Sequence, residues 1–148
     1  MKNTHAFTLL EVIVVMIIIG VVVGFAIPGF QGSINQGRAN DAQNALLSIY
    51  SAQLSRNANG TGFYTASASC SASTVTDDGS LNSTLGISIV RNNSAFCCTT
   101  VSGDGGFTCY ADLTSGGFKM RVVNTTVNLT GKFDATGRNP ICFTGTCP

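Results

Sequence analysis

An apolar run near the start of the chain constrains its fold more than any other feature. The run reads FTLLEVIVVMIIIGVVVGFAIP from Phe7 to Pro28, and between positions 7 and 27 only Thr8 and Glu11 are appreciably polar. As a helix, residues 7–27 would span about 32 Å, which is roughly the hydrocarbon thickness of a bilayer. An ionised carboxylate inside such a segment is costly unless it finds a partner, so Glu11 needs an explanation.

The run has three interpretations. A cleaved secretory signal would have a shorter apolar core and a small-residue cleavage site behind it, and this run is too long and lacks such a site. In the second interpretation the run is a plain membrane anchor, and Glu11 is a polar residue without a function that the membrane segment tolerates. The third interpretation starts from the polar leader MKNTHA, which ends in a small residue, and from FTLLE directly behind it. An acid within a membrane segment marks a functional position by default, which favours this third interpretation.

Residues 1–30 resemble the class III signal of type IV pilins and of the related pseudopilins of type II secretion. The resemblance implies that a membrane-embedded prepilin peptidase cuts between Ala6 and Phe7 and then methylates the new amine of Phe7. The family usually has glycine before the cut, and Ala6 stands there in this chain. Lys2 in the leader agrees with a cytoplasmic N-terminus. Beyond residue 56 only the general layout of the family fits.

The resemblance also gives Glu11 a role. It implies that Glu11 of one subunit pairs with the N-terminal amine of a neighbour and so sets the axial register of a filament. Burying a lone carboxylate is unfavourable, and an amine partner offsets much of that cost. The alternative is that Glu11 pairs with its own N-terminus, because helical spacing brings positions four apart onto one face.

Composition narrows the classes of function. The formal net charge is +1 and charged residues make up 10% of the chain, so there is no electrostatic footprint for nucleic acid. The only histidine is His5, in the leader. A mature chain without histidine lacks the commonest general base and metal ligand, so we predict that it is not an enzyme and uses no cofactor.

The helix is expected to continue beyond the run. Pro28 should kink it, because proline removes a backbone hydrogen bond. Residues 29–56 form an amphipathic half with a stripe at helical spacing: Ala42, Ala45, Leu46, Ile49, Ala52 and Gln53, widened by Leu47, Tyr50 and Leu54. As one helix, residues 7–56 would be about 75 Å long, and the alternative is two helices broken at Pro28.

The remaining residues, 57–148, are expected to form a globular head. A loop rich in Gly, Ser and Thr opens it from Asn57. Short apolar or alternating runs then predict strands at Leu85–Val90, Phe96–Val101, Phe107–Leu113 and Phe118–Val123, with Val127–Phe133 as an added edge strand. The predicted fold is α+β and pilin-like: the amphipathic helix half packs on the apolar face of an antiparallel sheet of about four strands.

Six cysteines lie behind the apolar run, which suggests up to three disulfides in an oxidising compartment. Cys97 and Cys98 are neighbours on a predicted strand, so they face opposite sides and need different partners. We predict that Cys142 pairs with Cys147, rather like the C-terminal disulfide loops of many pilins. Cys109 then pairs with Cys97 or Cys98, and Cys70 with the other. A zinc site is disfavoured because paired C-x-x-C spacing is absent, and no metal is predicted.

These features lead to one main hypothesis and two alternatives. The main one is a structural subunit of a type IV filament, with residues 1–6 as leader and 7–28 as membrane and filament-core helix. Its partners would be copies of itself and related pilins, the prepilin peptidase and an inner-membrane assembly platform. The precursor would lie in the inner membrane with its head outside, and the assembled subunit at the cell surface. The alternatives are a minor pilin or type II secretion pseudopilin, and a monomeric membrane-anchored binding domain.

Overall fold

The computed structural model describes residues 8–66, 69–91, 94–101, 105–113, 116–124 and 140–145, with the side chains of residues 26–29 left out. Two helices precede four strands: α1 (Leu9–Ala58), α2 (Leu81–Leu85), β1 (Ser94–Val101), β2 (Gly106–Leu113), β3 (Phe118–Asn124) and β4 (Ile141–Gly145). The predicted α+β class is confirmed. The chain separates into two compact units, Met1–Gln36 and Gly37–Pro148. The finer division into leader, membrane segment, amphipathic half and head stays a prediction.

The first helix is one element of 50 residues. Its backbone is continuous across position 28, as a single long helix requires. The side chain of Pro28 lies outside the part of the chain that the structure describes, so the kink there stays a prediction.

The four strands form one antiparallel sheet in the order β1-β2-β3-β4, a simple meander. Strands predicted at 96–101, 107–113 and 118–123 are confirmed within a residue or two of their bounds. Cys98 lies opposite Cys109 in the first pair, and Ala111 lies opposite Met120 in the second. At the far edge Phe118 lies opposite Gly145. Gly145 has φ of 92°, and a side chain there would collide with the Gly117 carbonyl, so glycine lets β4 close on β3.

The core lies between α1 and one face of the sheet. The helix stripe has period 3.6 and buries Ala42, Leu46, Ile49 and Gln53. The alternating positions of β2 with period 2 bury Phe107, Cys109, Ala111 and Leu113 against that stripe. Both patterns were predicted from the sequence. Leu47 and Leu54 were expected to widen the buried stripe, but their side chains remain 44% and 39% exposed. Each follows a buried residue directly, and one residue turns the helix by about 100°, which points these leucines away from the core.

The strand predicted at Leu85–Val90 is wrong. Leu81–Leu85 forms the short helix α2, and Gly86 ends it in the left-handed conformation with φ of 66°. The Asn82 side chain then donates to the Ile89 carbonyl at 3.0 Å and accepts from the Ile89 N–H at 3.3 Å. These bonds occupy backbone groups that a strand would offer to a neighbour, while Ile87 and Ile89 still pack against the core.

The last described strand was not predicted. Val127–Phe133, the expected edge strand, lies outside the described residues. Ile141–Gly145 instead pairs with β3, in a stretch expected to be only the closing loop of a disulfide. The register shifts between Lys119 and Met120, which leaves Phe143 without an opposite residue in the strand pair.

Candidate processing and assembly site

The first half of α1 has an apolar surface that the single chain does not cover. Its large apolar side chains from Leu9 to Phe25 are between 45% and 83% exposed. Contiguous apolar surface of this extent marks contact with a membrane or with other proteins. This surface is the feature that any function of the chain must account for.

Among the described residues, no single unbent helical segment is both long enough and apolar enough to cross a membrane. One bent pair of segments, Leu9–Phe25 with Phe30–Ala58, meets the length and composition test when the two are taken together.

Thr8 and Glu11 define the start of α1. The Glu11 N–H donates to the Thr8 carbonyl at 3.1 Å and lies 3.3 Å from Thr8 Oγ1. The Val12 N–H donates to the same carbonyl at 3.3 Å. The Glu11 carboxylate is exposed, and among the described residues it has no ion-pair partner. Ala6 and Phe7 lie outside the described residues, so cleavage between them and the pairing of Glu11 with a neighbour's amine stay predictions.

In the head, the described parts of the loop that joins α1 to α2, residues 59–66 and 69–80, lie along the edge of β1 that no described strand occupies. On the helix side the buried Gln53 amide holds it: Gln53 accepts from the Tyr64 N–H at 2.7 Å and donates to the Tyr64 carbonyl at 2.9 Å. At the edge itself the Ala66 N–H donates to the Cys98 carbonyl at 2.8 Å, and the Asp78 N–H donates to the Phe96 carbonyl at 3.0 Å. These bonds occupy carbonyls of an edge that would otherwise be open to other strands.

Between those two edge contacts the loop reaches β3. A disulfide joins Cys70 to Cys97, and Lys119 Nζ on β3 donates to the Ser73 carbonyl at 2.9 Å. Cys97 faces away from the α1 side of the sheet, since Cys98 belongs to the core and successive residues alternate. The loop therefore wraps β1 from one face of the sheet to the other.

Two adjacent aspartates, Asp77 and Asp78, hold the last residues of this loop, just before α2. Asp77 pairs with Arg91 at 2.8 Å and accepts from the Phe96 N–H at 3.2 Å, and Arg91 also donates to the Asp78 carbonyl at 2.8 Å. The buried Asp78 carboxylate accepts from the Tyr64 hydroxyl and from the Ser80 hydroxyl and N–H.

The ionisation of Asp78 follows from these contacts. Burial alone raises its pKa, but the hydrogen bonds from Tyr64 and Ser80 and the charge of Arg91 outweigh burial and hold the pKa below its usual value. A lowered carboxyl pKa contributes stability that is present above the unfolded-state pKa and is lost as pH falls through the folded one. At neutral pH the carboxylate is therefore ionised and holds the loop in place.

The cysteine pairings that the sequence left open are settled by strand register. Cys98 faces the core directly opposite Cys109, and the two form a disulfide. Cys97 points to the other face and pairs with Cys70. Cys142 is also disulfide-bonded, but Cys147, its predicted partner, lies outside the described residues. Within the described chain, no group of three or more His, Cys, Asp or Glu residues could hold a metal ion.

A groove of about 630 Å³ lies between α1 and the stretch that leads into β1. Arg38, Asp41, Asn44 and Ser48 line it on the helix side, and Ser88 and Val90 line it on the other. Its lining includes no histidine or cysteine. Hydroxyl, amide and charged groups of this kind can form hydrogen bonds and ion pairs with a bound partner.

Sequence reasoning missed several residues of these sites. The role of Thr8 at the helix start was not recognised, although T-x-x-E before an apolar run is a readable signal. The turn Asp77-Asp78-Gly79-Ser80 was also readable, because an aspartate that bonds the backbone two residues on is a common turn device. The sequence does not indicate that Gln53 binds Tyr64, which lies 11 residues away, or that Arg91 pairs with Asp77, which lies 14 residues away.

One comparison with known proteins gave a match. Residues 1–27 match the prokaryotic N-terminal methylation motif, the class III signal peptide of type IV pilins. The match supports a type IV pilin-like precursor and implies processing by prepilin peptidase. Searches of curated proteins and of solved structures gave no match.

Proposed function

We propose that this chain, a pilin-like precursor by its N-terminal methylation motif, is a structural subunit of a type IV filament. The observation that carries the proposal is the coincidence of that motif with an exposed apolar helix surface that holds one acid, Glu11, for which the described residues provide no ion-pair partner. The motif fits a membrane-anchored precursor, and the filament would be the second environment in which the same surface is covered.

Assembly would use this surface twice. In the membrane, lipid covers the apolar side chains of residues 9–25. In the filament, the same side chains pack against those of neighbouring copies, and their burial supplies most of the cohesion. Glu11 would then meet the Phe7 amine of a neighbour, since a carboxylate buried without a partner is unfavourable.

The head would lie outside the helical core of the filament. The loop bonded along the β1 edge and the disulfides Cys70–Cys97 and Cys98–Cys109 stabilise the head, and the blocked β1 edge would keep neighbouring heads from adding a strand there. A minor pilin or a type II secretion pseudopilin would assemble by the same chemistry. The competing class is a monomeric membrane-anchored binding domain, for which the groove beside α1 would be the contact surface.

Processing tests the proposal against that competing class. The mature protein from membranes is expected to begin at N-methyl-Phe7, because the resemblance of the leader to class III signals implies a cut between Ala6 and Phe7. Intact mass and N-terminal peptide mass spectrometry measure this directly. A mature chain that retains Met1 to Ala6 would contradict the proposal, since a plain anchor needs no cut.

The position before the cut offers a matched variant. Ala6→Gly is expected to be processed at least as fast as the natural chain, because glycine is the usual residue there. Pulse-chase labelling measures the rate, and slower processing of Ala6→Gly would mean that the cut lies elsewhere.

A further inference from the structure

The sequence of β1 gives its outer edge no protection of its own. A sheet edge pairs with other chains unless charged side chains, proline, a bulge or a covering segment prevent it. The strand Ser94–Val101 reads SAFCCTTV, eight residues without a charge or a proline. Its pairing with β2 is regular from one end to the other, so no bulge twists the edge away. Protection of this edge therefore depends on what covers it.

Residues 69–78 of the connecting loop, which we call the latch segment, supply much of the cover. The Phe96 backbone faces the outer edge, because its N–H donates to the Asp77 carboxylate at 3.2 Å and its carbonyl accepts from the Asp78 N–H at 3.0 Å. Alternate residues of a strand face the same neighbour, so the backbone groups of Thr100 point to this edge as well. The latch segment thus occupies groups that an added strand would use.

A disulfide holds the start of the latch segment. Cys70 is bonded to Cys97 on β1, while the other polar contacts that the structure describes for this segment are hydrogen bonds and one ion pair. Cys70 is partly exposed and is followed by the exposed residues Ser71–Thr74. The second disulfide of β1 joins Cys98 to Cys109, and both of these residues are fully buried. A reductant in solution therefore reaches the Cys70–Cys97 bond before the buried one.

We propose that the Cys70–Cys97 disulfide is a redox latch: its reduction by a dithiol frees the latch segment and opens the β1 edge to antiparallel pairing with the β1 edge of a second copy. A second copy fits this edge because a two-fold axis places the same uncharged strand on both sides, so neither copy buries a charge. The inference concerns the head alone and goes beyond the proposed filament.

The redox step is a thiol–disulfide exchange. A thiolate of the dithiol attacks Sγ of Cys70, the more exposed of the two cysteines, and Cys97 leaves as a thiolate that takes up a proton. The second thiolate of the dithiol then displaces Cys70, so that the dithiol becomes a disulfide and both cysteines become thiols. Hydrogen bonds and one ion pair then hold the loop at the edge, and an added strand offers the same β1 groups equivalent hydrogen bonds.

Stepwise reduction of the natural full chain in detergent tests the order of opening. The chain is treated with increasing dithiothreitol, alkylated and mapped by peptide mass spectrometry. Cys70 and Cys97 are expected to be alkylated at lower dithiothreitol concentrations than Cys98 and Cys109. Alkylation of Cys98 and Cys109 first would overturn the proposal, because the latch would not be the bond that opens.

A double variant, Cys70→Ala with Cys97→Ala, opens the latch without reductant. In the same detergent its protein mass per particle, measured by light scattering, is expected to be twice that of the natural chain. Adding Thr100→Lys places a charge at an exposed position of the edge and should return the mass to the natural value. Thr100→Lys in the natural chain is the matched control and should change nothing, because the latch there is closed.

The comparison of particle masses separates edge pairing from other kinds of association. Association through α1 is common to all these chains and cancels in the comparison. Equal masses for the natural chain and the double variant would overturn the proposal, because the opened edge would then not pair. A raised mass that Thr100→Lys does not reverse would also overturn it, since the heads would then associate through unfolding. Hydrogen exchange of the β1 amides should be slower in the double variant than in the same variant with Thr100→Lys, and equal rates would contradict pairing at this edge.

Discussion

Glu11→Val is expected to abolish filaments made from the variant alone, while the precursor still inserts into the membrane and is still cut before Phe7. The change removes the only acid of the apolar run, so membrane insertion should be unaffected or improved. In a filament, however, the buried amine of Phe7 would lose its partner. Losing one partner of a buried ion pair typically costs about 3–5 kcal/mol, which is a factor of roughly 160 to 5,000 in the assembly equilibrium.

Filament yield relative to the membrane pool of mature protein measures this effect. Leu10→Val is the matched control, because it changes the neighbouring apolar side chain and keeps the acid. The control should assemble near the natural yield, and Glu11→Val should enter filaments only together with natural subunits. Normal filaments from Glu11→Val alone would leave the pairing of Glu11 without support.

The second large effect is expected from the disulfide that holds the connecting loop. Replacing Cys70 and Cys97 together by alanine removes a link across a sequence separation of 27 residues. The chain-entropy relation assigns such a loop a contribution of about 3.5 kcal/mol to the free energy of unfolding. Alanine at the fully buried position 97 also leaves a cavity, which lowers the free energy of unfolding further.

Urea unfolding of the full chain in detergent, followed by near-ultraviolet circular dichroism, measures the change. Val75→Ala is the matched control, because it alters the same loop segment and leaves the disulfide intact. Limited proteolysis should cut the double variant within residues 66–78 before the rest of the head unfolds, because only hydrogen bonds and one ion pair then hold the loop. A loss of stability no larger than that of Val75→Ala would mean that this disulfide does not hold the loop.

Elements whose side chains follow one period were predicted correctly. Leu46 and Ile49 on α1, and Phe107 and Ala111 on β2, were placed in the core because local spacing alone assigns them to one face. The antiparallel pairing of β1 with β2 and of β2 with β3 could also be predicted, since only a few glycine-rich residues separate the strands of each pair.

The wrong or missing predictions have two causes: local hydrogen bonds that replace strand pairing, and partners that are distant in sequence. Leu85–Val90 has strand composition, yet Asn82 and Gly86 give it local bonds that replace strand pairing. The strand Ile141–Gly145 was missed because its partner β3 is remote in sequence. Choosing Cys98 over Cys97 as the partner of Cys109 required the strand register, which shifts every side chain to the other face when it moves by one residue.

The composition of sheared surface filaments shows directly whether this chain is a filament subunit. Cells that express the natural chain are sheared, the filaments are imaged by electron microscopy, and their subunits are identified by intact mass and peptide mapping. We expect filaments that contain this chain as a subunit beginning at N-methyl-Phe7. Its recovery only from membranes, with no filament containing it, would contradict the claim that it is a filament subunit.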